Sequence, residues 1–318
     1  MENAAIIQPH FTDPDKAREY LEAQRWPDGP VCPHCGVIGE AFKLEPKPNS
    51  KTPVRKGVWK CSGCRKQFTV TVGTIFEDSH IPLNKWLFAI HLLCASKKGM
   101  SSLQLQRMLG VTYKSMWFMT HRIRAMFSVE PQTQPKNTVE VDETYVGGFE
   151  PDKRGVPKES KKTPVLGMVE RGGDVRSFTL DRVTVKNVKP LLVEHIQADS
   201  QLNTDDATIY YYMKPEFPLH ASVNHSKEEY SRKENGRRVS TNTIEGYFSI
   251  IKRGVYGTYH HWSKHQLFRY LHEFDFRYNT RYLKDTDRAI AALKGAEGKR
   301  LYYYGSSKVH NRRSLVQR

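Results

Sequence analysis

The stretch VEVDETYVGG at residues 139–148 determines the fold that we predict for this chain. Val139 and Val141 favour a strand, and the glycine pair that ends the stretch favours a turn. The same strand carries acidic side chains at Glu140 and Asp142, and a buried carboxylate is costly unless it is paired or binds a metal. Because these acids alternate with apolar residues, the pattern also fits an edge strand with one solvated face. The surrounding sequence has to decide between these two interpretations.

The composition favours a polyanionic partner. The chain has 318 residues and carries 50 lysines and arginines against 34 aspartates and glutamates, a formal net charge of +16. Such a field attracts nucleic acid or an acidic membrane surface. No apolar run approaches the ~20 residues that span a bilayer, and the first residues lack the basic and apolar regions of a signal peptide. We therefore expect a cytoplasmic, nucleoid-associated protein that binds DNA and no membrane.

Four of the five cysteines form two C-x2-C pairs, Cys32 with Cys35 and Cys61 with Cys64. The pairs are separated by 25 residues. Two such knuckles bring four thiolates to one tetrahedral Zn²⁺. Since four protein ligands leave no open position for chemistry, the spacing predicts a zinc ribbon with one structural zinc ion.

Residues 83–127 are predicted to be helical, with a break at Gly99 and a turn at Gly110. Two helices joined by a glycine-containing turn fit either a helix-turn-helix or an ordinary helical hairpin. The basic second helix and the neighbouring zinc ribbon favour DNA contact. The predicted contacts are Lys114, Arg122 and Arg124, on a face that we expect to remain polar.

The region after the central strand predicts the rest of a sheet. Residues 164–170 and 175–183 form a hairpin around a Gly-Gly-Asp turn, residues 188–196 form a helix, and a fourth strand ends at two acids. The order strand, strand, strand, helix, strand matches an RNase H-like half-sheet. In that arrangement a carboxylate on the first strand meets one at the end of the fourth, where Asp142 and Asp205 lie.

Residues 240–253 are predicted to form a helix with two stripes. The first is an apolar face at helical spacing, made of Ile244, Tyr247, Phe248 and Ile251. The second is polar and contains Asn242, Glu245, Ser249 and Lys252, so that Asn242 or Glu245 points into a site. A capping box with Asn242 at the N-cap and Glu245 at N3 would need neither residue for catalysis. Basic and aromatic side chains follow, and those predicted to contact DNA are Lys252, Arg253, His260 and His261.

Four stretches together resemble one known family. They are the four-cysteine ribbon, GTIF at 73–76 with PLNKW at 82–86, VDETYVGG at 141–148, and NTIEG at 242–246 with KRGVYGTYHH at 252–261. These stretches resemble prokaryotic insertion-sequence transposases of the DDE type, named for three acidic metal ligands, that carry an N-terminal zinc ribbon and are related to the eukaryotic Merlin elements. The resemblance covers roughly residues 15–282.

The resemblance implies an RNase H-like catalytic core with two Mg²⁺ or Mn²⁺ ions. Asp142 takes the role of the first carboxylate, and Asp205 that of the second, with Asp206 as a neighbour that could be confused with it. The third position is Glu245, or Asn242 if an amide serves instead, and a carboxylate binds Mg²⁺ better than an amide does. Lys252, seven positions after Glu245, fits the basic residue of the same pattern and would contact phosphate.

The implied function is transposition of DNA. Water attacks at the element end and frees a 3′-OH, which then attacks a target phosphodiester. The implied partners are the terminal inverted repeats, the target DNA and further copies of the chain assembled on DNA. Two rival functions remain open at this point. A DNA-binding regulator would need no divalent metal, and an RNase H-like nuclease would cut DNA without joining it.

We therefore predict an α+β multidomain chain with five segments. They are an N-terminal helix and zinc ribbon (1–78), a helix-turn-helix-like DNA-binding region (80–130), a linker (131–137), an RNase H-like DDE catalytic domain (138–282) and a basic C-terminal tail (283–318).

Overall fold

The computed structural model describes residues 8–45, 54–128, 134–147, 162–234 and 236–301. Part of the predicted linker (131–133) and the end of the predicted basic tail (302–318) lie outside the described residues. The chain divides into two compact units. The first unit takes its residues from 1–91, 102–126 and 289–318, and the second from 92–101 and 127–288.

The first unit begins with two helices and a small antiparallel sheet. The helices are α1 (Pro9–Thr12) and α2 (Pro14–Arg25), and the strands are β1 (Ala41–Lys43), β2 (Trp59–Cys61) and β3 (Gln67–Phe68) in the order β1-β2-β3. Asp13 starts α2 by accepting hydrogen bonds from the N–H groups of Asp15 and Lys16, which satisfies donors that have no partner within a helix.

Three further helices follow: α3 (Leu83–Ala95), α4 (Ser102–Leu109) and α5 (Tyr113–Met126). Gly110 closes α4 in a left-handed conformation with φ 61°, which glycine adopts without strain. The expected polar face of α5 is wrong for Arg122 and Arg124, because both side chains are buried. Arg122 Nη2 donates to the Glu77 carbonyl oxygen at 2.7 Å. The helix-turn-helix geometry stays a prediction.

The second unit contains a five-stranded mixed sheet in the order β6-β5-β4-β7-β8. Its strands are β4 (Thr138–Val146), β5 (Thr163–Glu170), β6 (Val175–Thr179), β7 (Gln201–Asp205) and β8 (Ala221–Val223). β4 pairs antiparallel with β5 and parallel with β7, so it is an interior strand. The alternative of a solvated edge strand is therefore wrong.

The helices of the second unit are α6 (Val185–His195), α7 (Asn242–Gly254) and α8 (Leu267–Asn279), and the first residues of α9 (Asp285–Lys294) also belong to it. A hairpin of β9 (Ser231–Glu234) and β10 (Arg237–Ser240) precedes α7. No helix among the described residues is both long enough and apolar enough to cross a membrane.

The sheet has a core on each face. On one face Val139 and Val141 pack with Leu192 of α6. On the other, Val165 and Val169 pack with Ile244 of α7. The alternation of β4 therefore directs its valines to the α6 side and Glu140 and Asp142 to the α7 side.

Gly167 of β5 permits the close approach of α7 to the sheet. It pairs with Asp142 across the strands. A Cβ at this position would lie 2.7 Å from Ile244 Cδ1 and 2.8 Å from Phe248 Cζ. A side chain here would force the side chains of Ile244 and Phe248 on α7 to shift.

Candidate zinc ribbon and carboxylate site

The four predicted cysteines converge within the first unit. Their sulfur atoms all lie within 4.8 Å of one another, with Cys32 Sγ 3.7 Å from Cys64 Sγ and Cys35 Sγ 3.6 Å from Cys61 Sγ. Zn–S bonds of about 2.3 Å in a tetrahedron separate neighbouring sulfurs by about 3.8 Å. The sulfur positions therefore fit one tetrahedral zinc ion.

The local fold supports a thiolate at Cys32. Burial raises the pKa of the Cys32 thiol, but hydrogen bonds from the backbone N–H groups of His34 and Cys35 oppose this effect, and the pKa falls to about 6. The thiolate is the form that binds metal. At Cys35 the N–H of Val37 lowers the pKa, but hydrogen bonds with the other cysteine sulfurs outweigh it and raise the pKa to about 12. Cys94, the fifth cysteine, is buried in α3, where burial raises its pKa to about 12.

Strand register brings Asp142 and Asp205 to the same face of the sheet. Glu140 of β4 pairs with Asn203 of the parallel strand β7. This is the last pair of that ladder, and Asp142 and Asp205 each follow it by two positions, which directs both side chains to the same face of the sheet. Adjacent strands lie about 4.8 Å apart, so Asp142 in the middle of β4 is a neighbour of Asp205 at the end of β7, and their charges interact.

The electrostatics of Asp142 indicate a crowded acidic site. The pKa of Asp142 is raised to about 7, first by burial and then by the negative charges of Glu143, Asp205 and Glu245. The N–H of Glu143 donates to Asp142 Oδ1 at 2.8 Å and opposes this shift. Burial and the charge of Asp206 likewise raise the pKa of Asp205.

Glu245 on the first turn of α7 completes this group. Its Oε1 accepts a hydrogen bond from Thr241 Oγ1 at 2.8 Å and lies 3.4 Å from His225 Nε2. The charge of His225 also lowers the pKa of Asp205. His225 therefore influences both the second and the third predicted carboxylates, a role that the sequence did not indicate.

Asn242 is not the N-cap of α7. The N-cap is Thr241, whose side chain does not accept a backbone N–H, and Asn242 is an exposed first residue of the helix. The alternative of a capping box with Asn242 at the N-cap is therefore wrong.

The acceptor for the N-terminus of α7 comes instead from β4. Glu140 Oε2 accepts the N–H groups of Thr243 at 2.7 Å and Ile244 at 3.2 Å, and Glu140 is completely buried. A carboxylate is favoured there by the unpaired N–H groups and by the positive end of the helix dipole. Arg171 neutralises the same carboxylate, with Nη2 2.6 Å and Nε 3.1 Å from Glu140 Oε1. Glu140 thus fixes the helix of Glu245 to the strand of Asp142.

Glu143 lies on the opposite face of β4 from Asp142. Its Oε2 accepts the hydroxyl of buried Tyr210 at 2.6 Å. Burial raises the pKa of Glu143, and the charge of Asp205 raises it further. Glu143 therefore adds negative charge beside the site while its own carboxylate is held by a tyrosine.

The acidic site is more open than the cysteine site. Among the described residues, only the four cysteines bring three or more metal-ligating atoms within 4.8 Å of one another. Asp142, Asp205 and Glu245 are near enough for their charges to interact, but they are not closed around one point. Ligands that share two ions about 3.5–4 Å apart need this wider spacing.

Two parts of the chain match families of known proteins. Residues 12–67 match a family described as a transposase zinc-ribbon domain, and residues 135–279 match one described as an ISXO2-like transposase domain. The chain belongs to the DDE insertion-sequence transposases that carry a zinc ribbon. It is also 26% identical over 290 residues to a protein of Halobacterium salinarum described as an uncharacterized protein in transposable element ISH50. That alignment covers 84% of this chain and 91% of the relative.

Membership of this family implies that the protein binds and cleaves DNA. Of the side chains of this transposase that were predicted to contact DNA, five are exposed: Lys114, Lys252, Arg253, His260 and His261. Arg122 and Arg124 are buried and are therefore unavailable to DNA in this structure.

Sequence reasoning missed the supporting side chains of the site. The sequence marks Glu140 only as one of several acids in the strand, and it assigns no role to Arg171. The sequence feature that could have indicated the role of Glu140 is its position two residues before Asp142, on the same face of an interior strand. Its partners Thr243 and Arg171 lie too far along the chain for spacing to reveal them.

Proposed function

We propose that this protein cleaves DNA at the ends of its element and joins the freed 3′-OH to a target, using Asp142, Asp205 and Glu245 as metal ligands. The observation that carries the proposal is that Asp142 and Asp205 lie on adjacent parallel strands, each two residues beyond the last pair of the ladder, Glu140 with Asn203. Glu245 approaches the same face from α7. Three carboxylates from three separate elements are a suitable ligand set for divalent cations.

The sheet order supports an RNase H-like catalytic core. Three antiparallel strands, β6-β5-β4, are followed by β7 and β8, which run parallel to β4. The helix α6 lies between β6 and β7 in the sequence, as expected for this half-sheet. We propose that residues 138–282 form this core, that α4 and α5 act as a helix-turn-helix within 80–130, and that 1–78, 131–137 and 283–318 are the ribbon, linker and tail.

The acidic site fits a pair of Mg²⁺ or Mn²⁺ ions. Within the described part of the chain, no lysine or arginine forms an ion pair with Asp142 or Asp205, and their pKa values are raised. His225 is a cationic neighbour of Asp205 and Glu245, but the pKa of Asp205 stays raised, and a cluster of like charges that is not neutralised favours an external cation. When bound, the ions would activate the attacking oxygen and stabilise the leaving oxygen.

The chain's own residues would position the DNA. Lys252 and Arg253 near the end of α7 and His260 and His261 beyond it are exposed and basic, and such side chains bind phosphate oxygens. We propose that these residues and Lys114 contact the terminal inverted repeats or the target DNA. We also propose that copies of the chain assemble on paired ends.

Cleavage and joining assays on a duplex carrying the element's terminal repeat test this function. Asp142→Asn should abolish Mg²⁺-dependent cleavage and strand transfer and leave DNA binding intact in a gel-shift assay. Retained strand transfer in Asp142→Asn would refute the proposal. Cleavage without joined products in the wild-type protein would favour a nuclease.

Two matched pairs assign the other ligands. Asp205→Asn should abolish cleavage, whereas the adjacent Asp206→Asn should retain it. Glu245→Gln should abolish cleavage, whereas Asn242→Ala, on the same turn, should retain it. The reverse result for the second pair would make Asn242 the third ligand.

A further inference from the structure

We propose that the second unit has a binding cavity for a nucleotide, which shares Arg253 with the DNA contacts proposed above but is separate from the carboxylate site. The cavity has a volume of about 480 Å³ and is bounded by the end of α3 and by side chains of α7, α8 and α9. None of the three predicted catalytic carboxylates lines it. Its volume is within the range of about 300–1,000 Å³ that small-molecule sites occupy.

The wall of the cavity is aromatic and aliphatic. Tyr247 and Ile250 of α7 face Phe274 and Tyr278 of α8. The guanidinium of Arg281 lies 4.1 Å from the centroid of the Tyr278 ring. Flat aromatic and guanidinium surfaces of this kind stack on a planar ring, and stacking is how proteins hold nucleobases without regard to sequence.

Positive charge surrounds this apolar wall. Six cationic side chains line the cavity, against the single carboxylate of Asp285, which is paired with Arg288 at 2.8 Å. Lys97 and Lys98 are exposed and form no ion pair within the described part of the chain. The cavity therefore favours an anion with an apolar body.

Arg277 supplies a second, independent indication of a ligand. Its side chain is only 9% exposed, and its Nη2 pairs with Glu273 and donates to the Leu93 carbonyl oxygen at 3.0 Å. Its Nε and Nη1 are buried and have no hydrogen-bond acceptor among the described residues. A buried donor without an acceptor costs about 1–3 kcal/mol. An acceptor atom on a bound ring would remove that cost.

These features together identify the ligand class as a nucleoside phosphate. Lysines and arginine on the rim suit a phosphate, the aromatic wall suits a base, and the interior N–H groups of Arg277 suit a base nitrogen or oxygen. The nucleotide could be free or could belong to a bound DNA strand. The recognition chemistry is the same in both cases.

Photocrosslinking with one probe in two forms tests the proposal. The probes are free 8-azido-2′-deoxyadenosine monophosphate and element-end duplexes that carry 8-azidoadenine at successive adenine positions. We expect crosslinks mapped by mass spectrometry to residues 247–253 or 274–281 in at least one form. Excess unlabelled deoxyadenosine monophosphate should remove them, and equal inorganic phosphate should not.

Variants link the crosslink to the cavity. The double variant Lys97→Glu/Lys98→Glu changes only exposed side chains and should lower the crosslink yield at least about tenfold, because two charge-assisted phosphate contacts are lost. Ile250→Trp should fill the cavity and abolish the crosslink. Lys186→Glu, an exposed lysine on α6, is the control and should change nothing.

Each outcome decides the proposal. Crosslinks with only the free probe identify a free nucleotide, and crosslinks with only the duplex identify a nucleotide of the DNA strand. Absence of crosslinks in both forms, unchanged yield in the double lysine variant, or equal displacement by inorganic phosphate would overturn it. Asp142→Asn should give the same crosslink yield as the wild type. The crosslinking result is therefore independent of whether the proposed metal-dependent cleavage is correct.

Discussion

Glu140 and Asp142 lie two residues apart on one face of β4, yet their surroundings are opposite. Glu140 is neutralised by Arg171 and by two helix N–H groups. Asp142 receives one N–H and is otherwise close to further acids. The first carboxylate is satisfied by the protein, whereas the second has no lysine or arginine partner among the described residues, which suits the metal-binding role that we propose for it. This difference separates Glu140, which positions α7, from Asp142, the proposed metal ligand.

The role of Glu140 predicts a specific loss of stability. Glu140→Gln should lower the free energy of unfolding by about 2–4 kcal/mol, because it removes one partner of a buried pair and offers the helix N–H groups a poorer acceptor. Urea unfolding followed by circular dichroism measures this change. Glu194→Gln, an exposed glutamate on α6, should change stability by no more than about 0.5 kcal/mol. Equal losses in the two variants would contradict the assigned role.

At the scale of elements, the zinc ribbon is predicted to depend on its metal. The purified protein should contain one zinc ion per chain, and Cys61→Ser should lose it because a structural site needs all four ligands. Atomic absorption measures the zinc content. Cys94→Ser provides the matched control, since Cys94 is buried in α3 away from the cluster, and it should retain the ion. Loss of zinc in both variants would argue against the four-cysteine site.

Asp275 joins three elements of the second unit. Its carboxylate accepts a hydrogen bond from the hydroxyl of Tyr247 on α7. It also accepts two hydrogen bonds from Ser177 on β6, one from Oγ at 2.7 Å and one from the backbone N–H at 3.1 Å. Burial raises the pKa of Asp275 to about 7, against these hydrogen bonds. The folded protein therefore holds this proton more tightly than the unfolded chain, in which aspartate titrates near about 3.9.

The raised pKa fixes the sign of a pH effect. The stability contributed by protonated Asp275 is fully present below about pH 4 and is lost as the pH rises through 7. Relative to the wild type, Asp275→Asn should gain about 1–3 kcal/mol between pH 4 and pH 8, since its amide stays neutral. Chemical unfolding at several pH values measures this gain. Asp287→Asn, exposed on α9, should follow the wild-type profile, and an identical profile for Asp275→Asn would contradict the prediction.

At the scale of the whole molecule, the sequence predicted what is local and periodic. The C-x2-C spacing predicted the ribbon, and the order of strands placed Asp142 and Asp205 on strands that prove to be adjacent. Contacts between residues far apart in the chain could not be predicted from the sequence. Glu140, for example, binds Thr243, which is 103 residues away. The burial of Arg122 could not be predicted either, because the sequence does not distinguish a buried basic residue in a helix from an exposed one.

The difference between exposed and buried basic side chains determines which of the residues behind the net charge of +16 can contact DNA. Each phosphate contact releases counterions from the DNA, so the affinity falls as the salt concentration rises. The slope of log affinity against log salt becomes steeper by about 0.9 for each contact. Lys252→Gln should therefore reduce the slope of log affinity against log salt by about 1. Fluorescence anisotropy with a labelled duplex at several salt concentrations measures it.

The same titration separates exposed from buried cations. Lys186→Gln, exposed on α6 but not predicted to contact DNA, should leave the slope unchanged. Arg122→Gln should lower stability rather than the slope, because its guanidinium donates to the Glu77 carbonyl inside the first unit. If the slope fell equally for Lys252→Gln and Lys186→Gln, DNA would be attracted by the overall charge of the molecule, and the assignment of Lys252 as a specific phosphate contact would be lost.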